Sequence, residues 1–151
     1  MRWTFQLALA ARMRLEPRLY LIYGDVGGVM FAGIRAEFPG RMLNFGVAEQ
    51  AMVSFAAGMA IVGWRPVVYT ITPFLIERAF EQIKLDVAQM RLPVGLVGHS
   101  DGSGGATHNE LGAFPVLLMP EVSTYFPEKD EIAARVATVD IDQPWAIFLR
   151  E

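Results

Sequence analysis

Short apolar runs alternate with longer, helix-like stretches along the whole chain. Short runs rich in apolar residues predict buried strands, and they lie at 19–23, 41–45, 66–70, 93–98, 121–126 and 145–149. The stretches between them carry apolar residues at helical spacing, and they lie at 29–37, 48–62, 75–90 and 128–138. Another helix precedes the first strand, with Phe5, Leu9 and Met13 spaced four apart.

This order of elements predicts an α/β fold with three layers, α/β/α, in which a six-stranded, mainly parallel sheet lies between helices. No linker or low-complexity tract divides the chain, so residues 1–151 are expected to form one domain. Ligands of such sheets bind beyond the carboxyl ends of the strands. We therefore expect the chemistry in the loops at 24–28, 45–49, 70–74 and 98–108.

The composition indicates that part of the surface is covered. Hydrophobic residues make up 53% of the chain and charged residues only 19%, whereas about 25% charged residues are usual. Residues 48–62 are apolar almost all round, which indicates a helix buried on every side. We expect a large subunit interface rather than a membrane, because no apolar run reaches the roughly 18 residues of a spanning helix. The N-terminus lacks a signal-peptide cleavage pattern, so a cytoplasmic protein is expected.

Charge and side-chain inventory remove several functional classes. The net charge of −3 makes nucleic acid an unlikely partner. The chain has no cysteine, which excludes disulfides, thiolate metal sites and cysteine nucleophiles, and its two histidines offer little for a metal site. Gly98-His99-Ser100-Asp101-Gly102 matches the hydrolase pattern G-x-S-x-G, but a helix should follow it directly and a glycine-rich stretch follows instead. Neither lysine follows a glycine, so there is no Walker A motif.

One acidic residue stands out at a loop where chemistry is expected. Glu49, in Asn44-Phe45-Gly46-Val47-Ala48-Glu49-Gln50, lies in the first turn of the apolar helix. A carboxylate in such surroundings is costly unless it is paired or protonated. The residues alone leave two interpretations open, a glutamate that caps the helix and a functional acid.

The sequence around Glu49 resembles the pyrimidine-binding domain of the transketolase family of thiamine diphosphate enzymes. The resemblance rests on NFGVAEQAMVSFAAGMAIVGWRPVVYT at 44–70 and ITPFLIERAFEQIKLDVAQMRLPVGLVG at 71–98. It continues in GGATHNELG at 104–112 and MPEVSTYFPEKDEI at 119–132. The GVAEQ segment followed by a small-residue helix is quite specific, and the other motifs are weak one by one.

The resemblance implies roles for individual residues. Glu49 would be the acid that hydrogen-bonds the cofactor's pyrimidine ring and so promotes formation of the thiazolium ylid. Phe74 would pack on that ring, with Arg78, Ile71 and Tyr69 as further neighbours because the Phe74–Arg78 spacing is one residue wider than in some relatives.

Three more residues are placed by the same resemblance. Asp25 would be the acid near the thiazolium and the partner subunit, and His108 the histidine that contacts the substrate. His99 is a weaker candidate near the cofactor. In the family an arginine follows this histidine, whereas this chain has Leu118 near that position. The resemblance therefore does not extend to recognition of a sugar phosphate.

The resemblance also implies a partner. The family holds the diphosphate and its magnesium on another domain through a Gly-Asp-Gly…Asn motif, which this chain lacks. We therefore expect a stand-alone subunit of a split enzyme, in which a diphosphate-binding subunit holds the magnesium and the two chains form an α2β2 heterotetramer.

The implied activity is two-carbon ketol transfer on a ketose or keto-acid substrate, by a transferase that is active only with its partner. Two alternatives stay open. One is a decarboxylating relative, similar to 1-deoxyxylulose-5-phosphate synthase or the beta subunit of 2-oxo acid dehydrogenases. The other is a non-catalytic interaction module of the same fold.

Overall fold

The computed structural model describes residues 1–100, 105, 108 and 119–149. Its strands are β1 (Leu19–Tyr23), β2 (Met42–Asn44), β3 (Arg65–Ile71), β4 (Gly95–His99), β5 (Ser123–Tyr125) and β6 (Trp145–Leu149). The helices are α1 (Arg2–Leu15), α2 (Ala32–Glu37), α3 (Glu49–Ile61), α4 and α5 (Ile132–Thr138). Helix α4 is built from three consecutive pieces: a π-helical turn at Phe74–Arg78, an α-helical turn at Phe80–Gln82 and a second π-helical turn at Ile83–Ala88.

The six strands form one sheet in the order β2-β1-β3-β4-β6-β5, and every pair of neighbours is parallel. The predicted α/β fold class is therefore confirmed. All carboxyl ends of the strands meet at one edge of the sheet, which collects the loops after β1, β2, β3 and β4 there.

Two apolar layers flank the sheet. On one face, α1 and α5 pack through residues such as Phe5, Met13 and Val136 onto Val67 and Val97. On the other face, side chains of α3 and α4 pack onto the sheet from the opposite side; they include Met52, Val53, Leu75, Ile83, Val68 and Leu96. The apolar runs predicted this covering on both sides, because neither face of these strands could meet water cheaply.

Some elements differ from the prediction in extent. The helix expected at 29–37 begins only at Ala32, because the chain turns at Gly27, whose φ of 77° favours glycine. The strand expected at 121–126 is limited to Ser123–Tyr125. The helix expected at 75–90 is present but partly wound as π-helix, and hydrophobic spacing alone does not distinguish π from α winding.

Helix α3 is buried on one side only within this chain. Met52, Val53 and Ala56 are inaccessible to solvent, whereas Ala51, Phe55 and other residues on the opposite side are exposed. Within this chain the sheet covers only one side of the helix, and the subunit interface expected to cover the other side stays a prediction. Among the described residues, no helix is long and apolar enough to cross a membrane.

Candidate active site at the start of helix α3

An open cleft of about 540 Å³ lies at the N-terminus of α3. Its lining is mainly small and apolar, with one acid and one base: Val47, Ala48, Glu49, Gln50, Ala51 and Arg78. Glu49 is only 4% exposed, so its carboxylate lies at the wall of the cleft rather than in open solvent.

The sequence places Glu49 at this edge through a short loop. Strand β2 ends at Asn44, and the chain turns through Gly46, whose φ is 74°, before α3 begins at Glu49. The residue before the helix is Ala48, which makes no side-chain cap hydrogen bond. The free amide groups and the dipole of the first turn favour a negative group there, so Glu49 suits this position electrostatically.

Arg78 is the charged partner of Glu49. Its Nη1 atom donates to both carboxylate oxygens, 3.1 Å from Oε1 and 3.2 Å from Oε2. The arginine side chain is 45% exposed and the glutamate 4%. The buried carboxylate is therefore paired with a cation that is itself partly in solvent. This pairing offsets the cost of burying the charge.

Phe74 and His108 extend this group. The guanidinium carbon of Arg78 lies 3.7 Å from the centroid of the Phe74 ring, and the Phe74 ring meets the His108 ring edge-on with centroids 4.8 Å apart. A π-helical turn is wider than an α-helical one, so Phe74 and Arg78, at the two ends of this turn, lie near each other on one side. Four of the eight site residues named from the sequence thus form one chain of contacts, Glu49–Arg78–Phe74–His108.

Asp25 belongs to a neighbouring cluster. Its backbone N–H donates to Asn44 Oδ1 (3.1 Å), and Asn44 Nδ2 donates to its carboxylate (3.0 Å). Asn44 Oδ1 also accepts from the N–H of Gly46 (3.0 Å), so one amide ties together the loops after β1 and β2. The sequence analysis missed Asn44; the signal that could have found it is a polar residue at the carboxyl end of a buried strand.

Ile71, Tyr69 and His99 lie on the other face of the sheet. Alternation along β3 places Ile71 on the same side as Tyr69, and the Tyr69 and His99 rings stack with centroids 5.0 Å apart. Tyr69 also contacts the rings of Phe5 and Phe31 in the apolar layer beneath α1. These three residues therefore lie at the correct edge of the sheet but not on the side of Glu49.

Parts of two sequence-based interpretations fall on residues outside the described ranges. They are Leu118, near the family's arginine position, and Asp101 and Gly102 of the hydrolase-like motif. Within the described residues, no group of three or more histidine, aspartate or glutamate side chains could hold a metal ion.

The whole chain, residues 1–151, matches the family described as transketolase, pyrimidine binding domain. The chain belongs to this family.

Individual relatives agree with this assignment. The chain is 32% identical over 156 aligned residues to an uncharacterized 33.6 kDa protein in the fasciation locus of Rhodococcoides fascians, covering 98% of this chain and 49% of that protein. It is 40% identical over 119 residues to 1-deoxy-D-xylulose-5-phosphate synthase of Anaeromyxobacter sp. (strain Fw109-5), covering 76% of this chain and 18% of that enzyme.

A solved structure has the same fold. It is described as a split gene transketolase, inactive beta4 tetramer, and superposes with a TM-score of 0.83 at 25% identity over 97% of this chain and 50% of that one. The chain thus spans half or less of the length of each of these relatives.

Proposed function

We propose that this chain is the pyrimidine-binding subunit of a heteromeric, thiamine diphosphate-dependent, transketolase-like enzyme that transfers two-carbon ketol units. The observation that carries the proposal is the buried, arginine-paired Glu49 at the cleft where α3 begins. A carboxylate is seldom fully buried unless it is paired, and a paired acid at the wall of a cleft between apolar side chains can place a polar contact on a bound ligand.

The residues around the cleft fit a pyrimidine ring. A flat heterocycle needs apolar surface for its faces and a few placed polar groups for its nitrogens. Val47 and Ala51 offer apolar surface, and the half-buried ring of Phe74 adds an aromatic surface nearby. The Glu49 carboxylate offers the polar group. When bound, thiamine diphosphate supplies an electron sink for breaking and forming carbon–carbon bonds.

The chain's own residues then have separate tasks. Glu49 hydrogen-bonds a ring nitrogen and holds or releases a proton there, and Phe74 packs against the ring. His108, next to Phe74, donates a hydrogen bond to an oxygen of the substrate. Asp25, fixed by Asn44, faces the thiazolium side of the cofactor together with the partner.

A partner subunit supplies the rest of the site. The chain lacks the Gly-Asp-Gly…Asn motif of diphosphate binding, so the partner would hold the diphosphate and magnesium in a cytoplasmic α2β2 assembly. The similarity to a split gene transketolase, solved as an inactive beta4 tetramer, supports an enzyme divided between subunits.

Replacing Glu49 with Gln tests the proposal. The amide keeps the shape of the side chain but cannot exchange a proton as a carboxyl group does. In the complex of this chain with its diphosphate-binding subunit, we expect exchange of the thiazolium C2 proton, followed by NMR, to slow by at least about a hundredfold.

The matched control is Glu81→Gln, which makes the same substitution at an exposed glutamate of α4 that does not line the cleft and should leave the exchange rate close to that of the unaltered complex. An unchanged rate in Glu49→Gln would mean that the acid only caps the helix.

A decarboxylating activity is the second candidate. It is favoured by the 40% identity over 119 residues to 1-deoxy-D-xylulose-5-phosphate synthase. Supplying the complex with an aldose acceptor and either pyruvate or a ketose donor distinguishes the two. Release of CO2 from pyruvate supports decarboxylation, and transfer of two carbons from the ketose to the aldose without CO2 supports ketol transfer.

A further inference from the structure

Arg78 contacts two of the residues assigned to the cofactor and lies between them. It donates to Glu49 on one side and covers the ring of Phe74 on the other. The resemblance to the family implies for Arg78 only a position near the pyrimidine ring. We propose instead that Arg78 is a positioning residue, which fixes the Glu49 carboxylate at the cleft; this inference rests on the proposed function of Glu49.

The geometry of the pair fits a positioning role. A single nitrogen, Nη1, lies at nearly equal distances from both carboxylate oxygens, 3.1 and 3.2 Å. This contact restricts the rotation of the carboxylate plane. An ionised carboxylate offers about four acceptor positions, so the outward-facing positions of Glu49 stay available to a protonated ring nitrogen, which donates its N–H.

Glu49 depends on this contact for its orientation. Among the described residues, Arg78 supplies the only hydrogen bonds to its carboxylate. A glutamate side chain loses considerable rotamer freedom when it is fixed. Without Arg78, the carboxylate would sample other rotamers or turn toward solvent.

Arg78 is in turn held by its own element. The π-helical turn Phe74–Arg78 brings the guanidinium 3.7 Å from the centre of the Phe74 ring. Guanidinium groups stack well on aromatic faces because they are planar and weakly hydrated. Lysine keeps the charge but has neither the planar fork nor the stacking surface, so the arginine is not interchangeable here.

A double-mutant cycle in the chain alone tests the contact without any cofactor. The variants are Arg78→Met, Glu49→Gln and the double variant, each measured by urea unfolding. Contacting residues give non-additive effects. We therefore expect the double variant's unfolding equilibrium constant to differ by at least about threefold from the value obtained by multiplying the two single-variant effects.

Arg135→Met is the matched control for the cycle. Arg135 also covers an aromatic ring, that of Tyr125 at 4.2 Å, but it lies on α5 beyond the opposite face of the sheet. Combined with Glu49→Gln it should give additive effects. Additivity for Arg78 as well would overturn the inference, whatever the enzyme's activity proves to be.

The second test separates positioning from cofactor binding in the assembled complex. For Arg78→Met we expect thiamine diphosphate affinity to stay nearly unchanged, while exchange of the thiazolium C2 proton slows by about tenfold or more, since small misplacements of a catalytic group are costly. Arg78→Lys should recover part of the rate.

Each other outcome contradicts the proposal in a distinct way. A higher affinity for thiamine diphosphate in Arg78→Met would mean that Arg78 blocks the site and that the cofactor must displace it. A loss of affinity as large as the loss of exchange rate would make it a direct cofactor contact. If Glu49→Gln itself leaves exchange unchanged, the proposed function fails, and any coupling in the cycle marks a structural ion pair only.

Discussion

At the scale of single residues, Phe74 has two neighbours of different chemistry. One side of its ring carries the Arg78 guanidinium, and the His108 ring approaches it edge-on. The ring therefore connects the acid–base pair at the cleft to the residue assigned to the substrate. Cofactor binding should respond mainly to changes at Phe74, and turnover of the substrate mainly to changes at His108.

Truncating Phe74 and His108 should separate cofactor binding from turnover. Phe74→Ala removes a ring worth about 0.5–1.5 kcal/mol beyond its buried area, so we expect thiamine diphosphate affinity of the complex to fall by more than about tenfold once that area is added. His108→Ala should leave affinity nearly intact and reduce kcat with a ketose donor, because a hydrogen-bond donor near developing charge is lost.

Cofactor titration by calorimetry and steady-state rates measure the two effects. Phe74→Leu is the control that keeps apolar bulk without the aromatic face, and it should lie between wild type and Phe74→Ala in affinity. If His108→Ala abolished cofactor binding while Phe74→Ala did not, the roles of the two residues would be inverted.

At the scale of elements, the order of strands and helices followed from the apolar runs, because a strand covered on both faces has few other solutions. The position of Glu49 at the start of α3 was equally visible, since the apolar stretch begins there. The partner of Glu49 was not, because Arg78 is 29 positions away and reaches it through a π-helical turn that hydrophobic spacing does not reveal. The Asn44 contacts with Asp25 and Gly46 were also missed, because they join the loops after β1 and β2, which hydrophobic spacing does not pair.

The turn between α1 and β1 carries a charged network at the amino edge of the sheet. Both oxygens of Glu16 accept from the Arg18 guanidinium at 2.9 Å, and Arg18 and Arg65 both donate to Asp142. These arginines lie at the beginnings of β1 and β3, whose pairing starts at Leu19 and Arg65. The network therefore links the amino ends of β1 and β3, which are the ends farthest from the site.

This network should make stability depend on acid. The hydrogen bond with Arg18 lowers the pKa of Glu16 from 4.5 to about 2. Because the folded-state pKa lies below the unfolded one, the stabilisation is present above about pH 4.5 and is lost as the pH falls toward 2. In Glu16→Gln, we expect lower stability at neutral pH and a shallower loss between pH 4.5 and 2, measured by urea unfolding at several pH values.

Arg18→Met removes the other partner and should flatten the same pH range. The other acids with lowered pKa, Glu37 and Asp142, still contribute, so part of the slope should remain. A Glu16→Gln variant with the unaltered slope would show that the bidentate pair is too exposed to matter.

At the scale of the whole molecule, the predicted subunit interface concerns the exposed side of α3. Val47, Phe55 and Val62 are 70%, 43% and 74% exposed, and with Ala51 and Gly58 they follow each other at helical spacing along one side. An apolar stripe next to a cleft is typical of a surface that another subunit covers. It also adjoins Glu49, so a subunit on this stripe would help to close the cleft.

Gly58 allows this surface to be tested without disturbing the fold. It lies in α3 with open space around it, since an added Cβ would meet no atom within 4 Å. A side chain there should raise rather than lower helix stability. We expect Gly58→Glu to leave the unfolding free energy of the chain at least as high as before, and to weaken assembly strongly by placing a charge in an apolar interface.

Sedimentation measurements across a concentration range, with and without the diphosphate-binding subunit, give the assembly constant. The first control is Gly58→Ala, which restricts the backbone in the same way without adding a charge and should assemble more tightly than Gly58→Glu. The second control is Ala134→Glu, which adds the charge on the exposed side of α5 and should assemble as the unaltered chain does. If Gly58→Glu assembles normally while Ala134→Glu does not, the interface lies on the α1–α5 side of the sheet and Glu49 is not next to it.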